Sequence, residues 1–281
     1  MNRKTIVASY WNGRRKAVVW TGATAILLLT ILVVSVLLPD QSTMTNLTVR
    51  NVAPSWAYLF GTDWLGRDML IRTLKGLGLS IQVGLLGATI STVIAVVMGL
   101  VAAVSNQVVD RFITSIINLL MSVPHLVLLI LISFVCGGGM KGIVIGIMVT
   151  HWAGLARIIR AEAMQAMTAD YIVLAKQFGR SRWWIARKHV LPHVIPQIIT
   201  GFILLFPHAI LHEAALTFLG LGLSPHQPAI GIILSEAMRY LTTGHWWLAV
   251  FPGALLLLVV RSFDRLGEAS RVLLQARQSQ K

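Results

Sequence analysis

Charge is what this sequence is short of. Only 12% of its 281 residues are Asp, Glu, Lys or Arg, against roughly 25% in soluble domains. Hydrophobic residues make up 56%, and the mean hydropathy is +0.75. That balance excludes a soluble globular enzyme, a disordered chain and a secreted disulfide scaffold. Cysteine is nearly absent: Cys136 alone cannot form an internal disulfide or a cysteine metal cluster. Acids are scarcer than bases, 10 Asp and Glu against 24 Lys and Arg, for a net charge of +14. In a soluble protein such an excess points to nucleic acid. Here no aromatic-and-basic groove or recognition-helix pattern accompanies it, so the positive charge is first to be placed relative to a membrane.

Long apolar runs are abundant. Six have the length and composition of membrane spans, for which about 20 apolar residues suffice. They are Ala17 to Leu38, Leu79 to Ser105, Phe112 to Cys136, Gly142 to about Ala156, Val194 to Leu223, and Trp246 to Val260. The first follows Arg14-Arg15-Lys16 and is too long for a signal-peptide core, so it reads as an uncleaved span. With the N-terminus inside, 18 Lys and Arg fall on the cytoplasmic side and six on the other. That bias sets the orientation. The expected architecture is an all-α polytopic membrane protein of six transmembrane helices with both termini cytoplasmic. Its parts are a cytoplasmic tail (1–16), a first span (17–38), an external segment (39–78), a five-helix core (79–262) and a cytoplasmic tail (263–281). Within the core, residues 157–193 form a long cytoplasmic loop.

Apart from histidine, Glu213 is the only ionisable residue well inside these spans. One acid is thin provision for a proton- or sodium-coupled carrier. Gly84, Gly87 and Gly99 in the second span, with Gly142 and Gly146 in the fourth, predict close helix packing. In the cytoplasmic loop a helical pattern runs from Ala169 to Phe178 and stops at Gly179. Ser181 is placed to cap a second helix, Arg182 to Val190, ending at Leu191-Pro192. Composition alone fits this two-helix knob equally to a lipid interface, through Trp183 and Trp184, or to a protein partner.

The order of motifs resembles the permease subunits of ATP-binding-cassette (ABC) importers, in the peptide/nickel branch. Gly179 is followed twelve residues later by Leu191-Pro192, with Ala175 four residues before the glycine. Phe60-Gly61-Thr62-Asp63-Trp64-Leu65-Gly66-Arg67-Asp68 follows the first span. Leu216-Thr217-Phe218-Leu219-Gly220-Leu221-Gly222 closes the fifth, and Trp247 to Gly253 lies in the last. Val173 and Leu174 stand where the wider family has Glu-Ala, and Ile230 where tryptophan is usual. The resemblance implies a type I importer permease fold and an ATPase-coupling role for Asp170, Ala175, Phe178, Gly179, Arg180, Ser181, Leu191 and Pro192. It implies a second permease subunit, two ATPase subunits that use ATP and magnesium, and an external solute-binding protein. It implies no cofactor bound by this chain. The bacterial inner membrane is the expected location, with lipid around the chain and no nucleic-acid partner.

No catalytic set is visible. Gly61 to Arg67 has glycines spaced as in a phosphate loop but lacks the Lys and Ser/Thr that hold phosphate and magnesium. His212-Glu213 begins like a zinc-protease helix, yet Leu216 occupies the second ligand position. Three histidines are candidates for a cargo path. His208 and His212 are four apart and share a helical face just after Pro207; His151 lies in the fourth span. Neutral imidazole suits nickel, zinc, copper and iron, while histidine in a span also serves to hydrogen-bond a neighbouring helix. His151-Trp152 and His208-x-x-x-His212 resemble nickel-import permeases in particular. The expected cargo is therefore nickel or a related transition metal, free or chelated. A di- or oligopeptide importer is the alternative, and an ATPase-independent metal channel or carrier is the alternative of another class.

Overall fold

The computed structural model describes residues 3–38, 44–223 and 227–278. The outermost residues of both predicted tails and part of the external segment lie outside these. Among the described residues the chain is helical, apart from loops and one isolated antiparallel bridge, Thr62–Asp68. The helices in chain order are α1 (Arg3–Leu37), α2 (Met69–Val104), α3 (Gln107–Ser122), α4 (His125–Val135), α5 (Gly139–Thr150) and α6 (Trp152–Ala166). After them come α7 (Asp170–Gln177), α8 (Arg182–Ile185), α9 (Leu191–Phe218), α10 (Ile230–Met238) and α11 (Trp247–Gln278). Five stretches are long and apolar enough to cross a membrane, and the α3–α4 pair, bent by 99°, makes a sixth if it is one span.

The helices run longer than the apolar runs that announced them. α1 continues back through the predicted tail, and α11 continues forward to Gln278. α2 starts at Met69, ten residues before the predicted second span, because Asp68 caps it: its carboxylate accepts from Leu70 and Ile71 N–H at 2.8 and 3.2 Å. The third span is not one rod. Pro124 disfavours a helical conformation at Val123, which is extended (φ −91°, ψ 140°), and the rod breaks there. The predicted helix end at Leu191-Pro192 is not observed. A π-helical turn, Ala186–Val190, carries the chain straight into α9, with Leu191 N–H donating to the Ala186 carbonyl. Pro192 is the second residue of α9, directly after this π-helical turn.

α2 is the central pole, packed against α6, α9, α5 and α1, while α11 lies against α1 and α9. The predicted small-residue faces are where backbones approach. A Cβ on Gly87 would meet Ile147 at 2.6 Å, and one on Gly142 would meet the Ser133 carbonyl at 2.5 Å. The motif around residues 61–68, in the segment expected to be external, is folded about a buried carboxylate. Asp63 accepts from the N–H of Leu65 and Arg67, each at 2.9 Å, and pairs with the guanidinium groups of Arg67 (2.7 Å) and Arg72 (3.0 Å). Arg72 then reaches Glu236 of α10 at 2.6 Å. The early start of α2 thus brings Arg72 and Lys75 into a helix that the sequence pattern begins later, and Arg72 is neutralised within this network.

Candidate functional site: a histidine-lined cavity between five helices

A cavity of about 790 Å³ opens between α3, α4, α5, α6 and α9. Its wall is mainly apolar, from Leu120, Val123, Leu155, Ile158, Leu204 and Leu205 among others, and four histidines line it: His125, His151, His208 and His212. Three of the four converge. The candidate ligand nitrogens of His125, His151 and His212 all lie within 4.8 Å of one another, and their rings pack edge-on at 4.5–5.1 Å.

Two of the rings reach the cluster from helix ends and the third from within a helix. His125 is the first residue of α4, just past the Pro124 break; His151 is the joint between α5 and α6. His212 follows Pro207 inside α9. Local chemistry then orients the rings. His212 Nδ1 is 2.7 Å from the His208 carbonyl, and His151 Nδ1 is 3.0 Å from the Thr150 hydroxyl. His151 is 8% exposed, and its Nε2 is buried without a hydrogen-bond partner.

Of the histidines singled out from sequence, the structure brings His151 and His212 together but leaves His208 outside the cluster. Its backbone carbonyl, rather than its ring, serves the site, because that carbonyl takes the ring N–H one turn on. The third member is His125, which the sequence reading passed over. It shares one feature with His208, a histidine directly after a proline inside an apolar run, but lacks the i, i+4 partner that drew attention to His208. Glu213 is fully buried, accepts from Thr217 at 2.9 Å, and is not part of the cavity wall.

The knob on the other side of the break region is well defined. α7 ends in a Schellman turn: Arg180 N–H bonds the Ala175 carbonyl at 3.1 Å and Gly179 N–H bonds that of Lys176 at 3.0 Å. Gly179 has φ +74°, so its side of the turn requires the left-handed conformation. Ser181 caps α8 by accepting from Trp184 N–H at 3.2 Å, and the Arg180 guanidinium lies 4.8 Å from the Trp184 ring centre. Ile172 and Ile185 root the knob in the core at 0% exposure, while Phe178 at its tip is 82% exposed. Asp170 opens α7, and Leu191 and Pro192 form the exit into α9.

Comparison with known proteins decides the family. Residues 95–270 match the model of the binding-protein-dependent transport system inner membrane component family. The chain belongs to this family. The permease is 35% identical to the dipeptide transport system permease protein DppC of Bacillus subtilis over 230 residues, which cover 82% of this chain and 72% of that one. It is 32% identical to the oligopeptide transport system permease protein OppC of the same organism, covering 83% and 75% of the two chains. A probable D,D-dipeptide transport system permease protein, DdpC of Escherichia coli, is also 32% identical, with 82% and 76% covered. Among solved structures, the inward-facing MetNI methionine ABC transporter superposes with a TM-score of 0.56 at 20% identity, covering 72% of the permease and 97% of that chain. An amino acid ABC transporter gives the same TM-score at 18% identity, with 71% and 92% covered. The permease therefore has the type I ABC importer fold and is a multi-pass inner-membrane transport subunit. Membership of this family sets aside the ATPase-independent channel or carrier.

Proposed function

We propose that this permease lines one half of the translocation path of an ATP-driven importer whose cargo contains a transition metal, as a free ion or a chelate. One observation carries the metal: three imidazoles from three helices, with ligand nitrogens within 4.8 Å, on the wall of a cavity. Bonds of about 2.1 Å to a metal separate two nitrogens by about 3–3.5 Å, a spacing within small side-chain adjustments of this cluster. A transported ion must be able to leave, and a three-imidazole set leaves coordination positions open for its exchange. The cavity also has room for more than an ion. Six waters of hydration fill about 180 Å³ at roughly 30 Å³ each, far below 790 Å³, which favours cargo with an organic part.

The second reading is a di- or oligopeptide cargo. The relatives named above favour it, and on kinship alone it is the better supported; none of them speaks for nickel. In either case the chain works with a second permease subunit, two ATPase subunits that bind the knob at residues 169–192, and an external binding protein. The chain itself is non-catalytic.

Uptake in a strain lacking the chromosomal copy separates the two cargoes. With His125, His151 and His212 all replaced by Ala, uptake of nickel, cobalt or zinc, with or without an added chelator, falls at least tenfold relative to the parent gene. Dipeptide uptake is unchanged. If the parent gene restores dipeptide growth and the triple variant takes up metals like the parent, the peptide reading replaces the metal one.

A further inference from the structure

The hydrogen-bond partners of two of the clustered rings fix where their protons sit. The Thr150 hydroxyl lies 2.8 Å from the Gly146 carbonyl and 3.0 Å from His151 Nδ1. A carbonyl can only accept, and a hydroxyl has a single proton. The Thr150 proton therefore goes to Gly146, and a hydroxyl lone pair faces His151. Nδ1 of His151 carries the ring proton, and its Nε2 carries the free lone pair. The same logic holds for His212, whose Nδ1–H donates to the His208 carbonyl at 2.7 Å. Two rings on different helices are thus locked in the tautomer that offers Nε2, and the Nε2 of His151 is buried with no partner. An unpaired buried acceptor is costly to retain, and a ligand that accepts its lone pair removes that cost.

We propose that Thr150 is a positioning residue for the cargo metal: its hydroxyl holds His151 so that Nε2 faces a divalent first-row transition ion shared with His125 and His212. This rests on the metal reading above. Groups that orient a ligating histidine through its other nitrogen change affinity by about 10–100-fold when lost. Thr150 is also well placed for the part, since it lies at the α5–α6 joint and is itself 5% exposed. Its bond to Gly146 fixes its own rotamer.

The test is titration of the assembled importer in nanodiscs with Co²⁺, whose visible absorption reports imidazole coordination. Thr150→Val keeps the volume and removes the lone pair; it weakens Co²⁺ binding about 10–100-fold. Thr150→Ser, which keeps the hydroxyl, binds like the parent. Assembly and basal ATPase activity of each variant check folding, and Thr150→Ala serves if the valine variant does not assemble. Valine binding Co²⁺ as tightly as the parent overturns the role of Thr150 while leaving the three-histidine site in place. Equal loss in the valine and serine variants assigns the effect to packing at the joint and also overturns it. If Co²⁺ binding by the parent is absent, or survives replacement of all three histidines by Ala, the metal reading fails and the proposal falls with it.

Discussion

His208 and His212 share a helix face but not a task. The His208 ring lines the cavity wall while its carbonyl orients His212. Alanine keeps that carbonyl, so His208→Ala retains Co²⁺ binding within a few-fold, whereas His212→Ala loses at least tenfold, both read by the same absorption titration. Had the helical spacing alone built the site, the two variants would behave alike. The i, i+4 rule made the pair legible because it is local, and His151 was legible as a histidine in an otherwise apolar span. His125 was not, because its contribution depends on a 99° bend that brings α4 to the cavity. Thr150 carried no signal at all: an isolated threonine beside a histidine is ordinary until its second hydrogen bond is seen.

Among the elements, the knob is where sequence and structure agree most closely. The Gly179 stop and the Ser181 cap are set by bonds within a few residues, so spacing predicts them. Where the outcome depends on more distant packing, spacing fails: the π-helical turn lets the chain run past Pro192, and α1 and α11 extend beyond their apolar runs. A Cβ added at Gly179 meets no neighbour, so a substitution there acts through backbone strain alone. Gly179→Ala costs the turn about 1–2 kcal/mol, and Gly179→Asn costs less because asparagine tolerates the left-handed region better. The expected outcome is uptake reduced in the order Ala before Asn, with membrane levels unchanged by quantitative blotting. Phe178→Ala leaves the turn intact but removes the exposed tip. It lowers uptake and stimulated ATPase activity together if the tip docks an ATPase.

At the scale of the whole molecule, the all-helical class and a count of five to six spans follow from composition and length. Which helix touches which does not. α2 as the central pole, and the joining of the external segment to α10 through Asp63, Arg72 and Glu236, are tertiary facts that no single run of residues records. That network is a buried one, with Asp63 and Arg72 at 1% and 4% exposure. Removing one partner from such a set leaves an uncompensated charge and costs about 3–5 kcal/mol. Arg72→Met therefore lowers the thermal unfolding midpoint of the purified protein by several degrees. Glu236→Gln in the same chain restores part of it, because Arg67 and Asp63 are then left as a balanced pair at 2.7 Å.

The three gathered imidazoles stand on three rods: α4, the α5–α6 stretch and α9. Bonds to a metal tolerate errors of roughly 0.2 Å, so a rigid shift of one rod by an ångström is enough to unmake a bond without moving any door. A subunit that alternates between two faces of a membrane must hold its cargo in one posture and let go in the other. If these imidazoles hold the cargo as proposed, the same levers that change posture carry the fingers of the grip, and release is a matter of stretching the hand.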